Sequence, residues 1–150
     1  MTINIGLLGA GRIGLTHARA VAGIAAARIA AVSDPIEPAA QAAIDLTGAQ
    51  RATVEEIMAD PAIDAVIIAT PTDLHADQVE LAAEAGKAIF CEKPINLDVA
   101  RVRACLKVVE RTGARLMIGF NRRFDREFVE LRAQIKAGAV VRLGDGGGAV

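Results

Sequence analysis

Apolar and polar positions along the chain fall into short continuous runs and longer periodic ones, and their alternation predicts the elements. Ile3–Leu8 is a brief apolar run that reads as a buried strand. From Arg12 to about Ile24 the spacing of Ile13, His17, Ala20, Val21 and Ile24 predicts a helix. Arg28–Val32 reads as a second strand ending at Ser33-Asp34-Pro35, and Pro38–Leu46 as a helix closed by Gly48. Gln50–Ala52 is expected to form a short third strand. Thr53 can then cap a helix with Glu55 and Glu56 in its first turn, where the helix dipole favours anions. Asp64–Ala69 is the clearest buried strand, and Asp73–Ala85 is helical, with Asp73 as its expected cap and Gly86 as its stop. Ala88–Cys91 forms a strand that runs into Glu92-Lys93-Pro94, where Pro94 is a candidate for a cis bond. Asp98 caps a helix reaching Thr112 before Gly113. Arg115–Gly119 is a strand, Arg126–Ala137 a helix ended by Gly138, and Val140–Leu143 the beginning of another strand.

Strand and helix alternate throughout with short connections. That order predicts an α/β fold with a parallel sheet covered by helices on both faces, in which strands read as unbroken apolar runs. A chain of 150 residues fits one domain or one and a fraction, and 53% hydrophobic residues supply a sizeable core. No linker precedes Gly144, and "GDGGGAV" reads as a flexible tail.

Composition narrows the partners. A formal net charge of −1, with no Trp, no Tyr and four Phe, argues against nucleic acid, which needs basic patches and stacking aromatics. No apolar run is long enough to span a membrane, and no basic-then-apolar leader opens the chain. Cys91 and Cys105 lack metal-ligand spacing, so no metal is expected; both are expected to be reduced, buried thiols of a cytoplasmic protein.

The chemistry begins at "LLGAGRIGLTHARAV", residues 7–21. A lone GxGxxG is weak, but here it follows a predicted strand and opens a predicted helix. Gly9 would make the tight turn, Gly11 would let the backbone approach a pyrophosphate, and Gly14 would let helix pack on strand. The helix N-terminus offers free N–H groups to the phosphates. Asp34 ends the second strand at the spacing of an adenosine-ribose acid, which favours NAD over NADP, although Arg12 could assist a phosphate. Otherwise the loop is a turn and Asp34 a helix cap.

Three further segments lie at predicted strand ends, where ligands of such folds bind. In "ATPTDLH", Thr70 and Thr72 can hydrogen-bond a ribose, and His75 is either functional or a capping or surface residue. In "CEKP", Lys93 can polarise a substrate hydroxyl or carbonyl beside a nicotinamide, or can simply pair with Glu92. In "GFNRRFD", Asn121, Arg122 and Arg123 can reach a polar substrate, or the arginines can be solvated or pair with Asp125 and Glu127.

Together, GAGRIG, SDP, ATPTDLH, EKP and GFNRRFD occur in the order and spacing of one family. The chain resembles, over about residues 3 to 143, the N-terminal half of the glucose–fructose oxidoreductase/inositol dehydrogenase/MocA-type oxidoreductases, with GFNRRFD nearest to myo-inositol 2-dehydrogenase-like members. The resemblance implies a doubly wound Rossmann domain over residues 1–124 and, over 125–150, the truncated start of a second α/β domain. It implies that Gly9, Gly11, Arg12, Ile13 and Gly14 hold the pyrophosphate and that Asp34 holds the adenosine ribose. Ala69, Thr70, Pro71 and His75 would line the cofactor, with Glu92 on its nicotinamide side. Lys93 would be the catalytic lysine, and Asn121 and Arg122 would face nicotinamide and substrate.

Members of the family are about twice this length, and their second domain supplies an Asp and a His in a D-x-x-x-H arrangement. Here the histidines are His17 and His75, outside any such motif, so the usual general base is absent. Three readings follow. The first is an NAD-dependent polyol or sugar dehydrogenase (EC 1.1.1 type) reduced to its cofactor half, weak or inactive alone. The second is a non-catalytic NAD-binding module acting as a sensor or as the partner of another chain. The third is an interaction domain that has lost its cofactor. Exposure of Leu131, Ile135, Val140 and Val141 would also promote self-association.

Overall fold

In the computed structural model, which describes residues 2–139, the chain runs as β1 (Ile3–Leu8), α1 (Arg12–Ala22), β2 (Ala27–Ser33), α2 (Glu37–Thr47), β3 (Gln50–Arg51), α3 (Val54–Ala59), β4 (Ala65–Ile68), α4 (Thr72–Glu84), β5 (Ala88–Cys91), α5 (Val99–Thr112) and β6 (Leu116–Ile118). A 3₁₀ turn (Asn121–Phe124) and α6 (Arg126–Lys136) follow. The chain divides into two compact units, Met1–Gly119 and Phe120–Val150. The first holds all six strands of the described residues. In the second, Asp125 caps α6 by accepting from the Glu127 N–H.

The six strands are all parallel, in the order β3-β2-β1-β4-β5-β6. This is the doubly wound arrangement, with its switch point between β1 and β4. Period-two alternation along each strand sends residues to opposite faces. Leu7, Val32 and Ile67 pack with Ala18, Val21 and Ala43 of α1 and α2. Leu8, Val66 and Ile68 pack with Ile57, Val79 and Cys105 of α3, α4 and α5. Two thin cores on one sheet are the consequence of apolar runs that have no solvent face.

Local signals set most boundaries. Thr53 and Glu56 form a reciprocal capping box on α3, and Asp98 accepts from Ala100 N at the start of α5. One boundary and one helix face differ from expectation. Asp73 does not cap α4: Pro71 occupies that position, Leu74 N donates to Pro71 O at 3.0 Å, and Asp73 sits within the first turn. A proline before the first turn presets the backbone, so the helix starts before the acidic residue is reached. On α1 the buried residues are Gly14, Ala18 and Val21, whereas Ala20 and Ile24 are exposed, because Gly14 draws its own side of the helix onto the sheet. The expected strand Val140–Leu143 and the glycine-rich tail lie outside the described residues. Among the described residues no helix is long and apolar enough to cross a membrane.

Candidate functional site

Strand register puts the chemistry in one row. Ser33 pairs with Leu8, Leu8 with Ile68, Ile68 with Cys91 and Cys91 with Ile118. The residues that follow these strand ends are therefore neighbours: Asp34, Gly9, Ala69, Glu92 and Gly119. The ladder continues through them, since Gly9 N donates to Ser33 O (2.8 Å), Ala69 N to Leu8 O (2.8 Å), Glu92 N to Ile68 O (2.9 Å) and Gly119 N to Cys91 O (2.9 Å). Parallel pairing thus aligns the four segments that carry the candidate residues of the first unit.

The glycine loop is built by sterics. Gly9 has φ +87°, and a Cβ there would lie 2.6 Å from Ala69 O. At Gly14 a Cβ would lie 2.0 Å from Gly9 O, so only glycine lets α1 start this close to β1. Gly11 is different: a Cβ there would meet nothing within 4 Å. It faces open space at the head of α1, where no side chain caps the helix. The first-turn N–H groups of a helix have no partners within it. Arg12 and Ile13 open that turn and are exposed. Uncapped donors at an empty cradle suit a pyrophosphate.

Asp34 ties the loop to β2. Its Oδ2 accepts from Ala10 N at 2.7 Å and its Oδ1 from Ile36 N at 2.8 Å. Each oxygen retains a lone pair, so the half-buried carboxylate can still accept from a diol. This fits an adenosine ribose.

Beyond β4, Thr70 donates its hydroxyl to Gln78 Oε1 at 2.6 Å and keeps acceptor capacity; Ala69 is half-buried and Pro71 exposed. His75 is neither a cap nor a surface residue. It is 2% exposed, with Nε2 at 2.8 Å from Thr70 O and Nδ1 at 2.8 Å from Pro94 O. From behind, it joins the loop after β4 to the loop after β5. The Lys93–Pro94 bond is cis.

Lys93 is exposed, and the pairing with Glu92 considered from the sequence does not form. Glu92 instead meets His17 of α1, Nε2 to Oε1 at 2.8 Å, while its Oε2 accepts from Lys93 N at 3.3 Å. Among the described residues the Lys93 amine has no acidic partner. His17 is a component that sequence reasoning missed; its place on the helix of the glycine loop was the available signal. Cys91, just below, is a buried free thiol whose pKa burial pushes up to about 12, with Cys105 and Glu92 adding to the effect.

Asn121 and Arg122 belong to the second unit, in the 3₁₀ turn. Arg122 lies 3.8 Å from Asp125 and 5.5 Å above the Phe128 ring, and both Asn121 and Arg122 are exposed.

Residues 3–120 match the family described as the oxidoreductase family with an NAD-binding Rossmann fold. The chain is 57% identical over 140 residues to inositol 2-dehydrogenase of Rhizobium meliloti, covering 93% of this chain and 42% of that protein. Solved structures agree. Scyllo-inositol dehydrogenase of Lactobacillus casei, with NAD(H) and scyllo-inositol bound, superposes with a TM-score of 0.88 at 30% identity, over 93% of this chain and 42% of that one. A myo-inositol dehydrogenase of Corynebacterium glutamicum gives a TM-score of 0.85 at 36% identity, over 95% and 43%. The chain therefore spans less than half the length of these relatives. With the glycine cradle, the Asp34 carboxylate and the strand-end row in place, it belongs to the Gfo/Idh/MocA oxidoreductase family and carries that family's NAD-binding Rossmann domain.

Proposed function

We propose that this chain binds NAD as the cofactor-binding part of an inositol-dehydrogenase-like oxidoreductase that moves hydride between a polyol or sugar secondary alcohol and nicotinamide. The observation that carries the reading is the open cradle over Gly11 at the uncapped start of α1, flanked by an Asp34 carboxylate already aligned by Ala10 and Ile36.

In this reading the N–H groups of Gly11, Arg12 and Ile13 take the pyrophosphate, and Gly9 and Gly14 shape the turn. Asp34 accepts from the adenosine ribose and repels a 2′-phosphate, so NADP is the poorer ligand. Ala69, Thr70 and Pro71 line the cofactor, and His75 acts through them by fixing Thr70 and Pro94. Glu92 stands on the nicotinamide side. Bound nicotinamide supplies the hydride chemistry. The unpaired Lys93 ammonium donates to the substrate oxygen and lowers the cost of its losing a proton. Asn121 and Arg122 serve the substrate.

Both histidines of the chain are engaged, His17 by Glu92 and His75 by two carbonyls. Neither is free to act as general base, so the chain by itself turns over slowly or not at all. The same observation favours a second reading, a non-catalytic NAD-binding module that senses NAD or serves another chain. Turnover of an inositol by the purified chain would exclude that second reading.

The test is calorimetric titration with NAD and, separately, NADP. Binding of NAD that weakens at least tenfold in Asp34→Asn is the expected result. No binding of either at millimolar concentration would overturn the proposal.

A further inference from the structure

A second charged pair borders the adenosine end. Ser33, Asp34, Pro35, Arg51, Thr53 and Glu55 are among the residues around a cavity of about 590 Å³. Arg51, the last residue of β3, is the one cation among its described lining residues, against the carboxylates of Asp34, Glu55 and Glu56. Glu56 is committed to Thr53 N. The Arg51 guanidinium lies against the turn after β2, with Nη2 donating to Asp34 O at 3.4 Å. Its Nη1 is ion-paired with Glu37, the first residue of α2.

A guanidinium within reach of the ribose acid is the group a 2′-phosphate needs, because its planar fork matches phosphate oxygens. Dinucleotide folds that accept the extra phosphate place an arginine nearby. Here the arginine is present, but its fork is turned onto a carboxylate. Glu37 holds that position with help from its own place at a helix N-terminus, where the dipole favours an anion. The result at this edge is a neutralised cation and a net negative cavity.

We propose that Glu37 is a specificity-determining residue: by occupying Arg51 it holds the site's preference for a free 2′-hydroxyl over a 2′-phosphate, in addition to the repulsion from Asp34. The inference rests on the cofactor reading above. Removing the Glu37 charge frees Arg51 while Asp34 stays in place. The change should therefore appear in the 2′-phosphorylated ligand and leave the other unaltered.

Calorimetry on the wild-type chain, Glu37→Gln, Arg51→Met and the double variant tests this, with NAD, NADP, ADP-ribose and 2′-phospho-ADP-ribose as ligands. Glu37 is 69% exposed, so its replacement leaves the fold intact. In Glu37→Gln the NADP-to-NAD affinity ratio should rise about fivefold, the upper end of what an exposed ion pair withholds. The gain should vanish in the double variant, and NAD affinity should hold within twofold throughout. An unchanged ratio in Glu37→Gln with NAD binding intact overturns the proposal, as does a gain that survives loss of Arg51. A wild-type chain that binds neither NAD nor ADP-ribose brings down the cofactor reading as well, which separates the two failures.

Discussion

His17 Nε2 lies 2.8 Å from Glu92 Oε1, so the helix that begins at the glycine loop grips the strand end that presents Lys93. The two residues are 75 positions apart, and their side chains are 23% and 20% exposed. The His17 ring meets Phe90 edge-on at 5.0 Å, and a Cβ on Gly119 would come within 3.1 Å of the same carboxylate oxygen. Glu92 is therefore held by His17, whose ring Phe90 braces, and crowded by Gly119. His17→Ala and Glu92→Ala should each cost about 1–2 kcal/mol, because each leaves a partly buried polar group without its partner. The double variant should cost about 1 kcal/mol less than the sum. Urea unfolding of the four proteins measures the coupling; strictly additive losses would show that the contact is idle.

Two glycines of one motif should fail in opposite ways. At Gly11 the backbone has φ −66° and the added methyl meets no protein atom, so Gly11→Ala should fold normally. The methyl would stand where a pyrophosphate must approach, and NAD affinity should fall at least about tenfold. At Gly14 the methyl would sit 2.0 Å from Gly9 O, a backbone atom that cannot swing aside. Gly14→Ala should lose about 3 kcal/mol or more of stability. Thermal melts paired with NAD titrations distinguish the two. Unaltered affinity in Gly11→Ala would move the pyrophosphate elsewhere.

What could be read along the chain was whatever is decided locally. Apolar runs gave β1, β4 and β5 nearly to the residue, and the glycine loop was recognisable because a phosphate turn needs its glycines at fixed spacing. Thr53 and Asp98 announced their helices as caps. Asp34 was also legible as the acidic residue that ends the strand after the loop. Its grip on Ala10 N was not, because it depends on β1 and β2 being adjacent. His17 looked like one more residue on a helix face, since nothing near it in sequence points to Glu92. His75 could not be separated from a surface histidine until two loops closed over it. Lys87 has the same character: it is 6% exposed, with its amine on the carbonyls of Asp60 and Ile63, and no local pattern marks a lysine for burial.

Replacing His75 should damage the site through the backbone. Both of its neighbours are carbonyl oxygens, Thr70 O and Pro94 O, so His75→Ala removes the link between the loops after β4 and β5 and leaves a buried carbonyl without its donor. A loss of about 1–3 kcal/mol is expected, with weaker NAD binding as the loops separate. His75→Gln can restore one contact and should recover part of both. If NAD affinity falls without any loss of stability, His75 touches the cofactor directly.

Helix α6 should cause association. Phe128, Leu131 and Ile135 recur at helical spacing, and each is about half exposed. An uncovered apolar stripe of this kind seeks a second surface. Sedimentation velocity should show mass rising with concentration, and Leu131→Lys with Ile135→Lys should abolish the rise. A wild-type chain that stays monomeric at every concentration would contradict this expectation.

Alkaline pH should destabilise the protein through its buried thiols. Cys91 is fully buried, and its pKa is pushed from 9.0 up to about 12 by burial, then by Cys105 and Glu92; Cys105 is also raised, by burial first. A raised folded-state pKa means that between these limits the native thiol keeps its proton while the unfolded chain loses it. The unfolded state then binds fewer protons, so stability is complete below about pH 9 and declines as pH rises towards 12. The slope should be roughly 1.4 kcal/mol per pH unit for each such thiol. Denaturant unfolding from pH 8 to pH 10.5 measures it, and Cys91→Ala should reduce the slope. The same burial predicts that neither thiol reacts with a disulfide reagent at pH 8 until urea is added. Rapid labelling of the native chain would place Cys91 at an accessible surface and remove the basis for the slope.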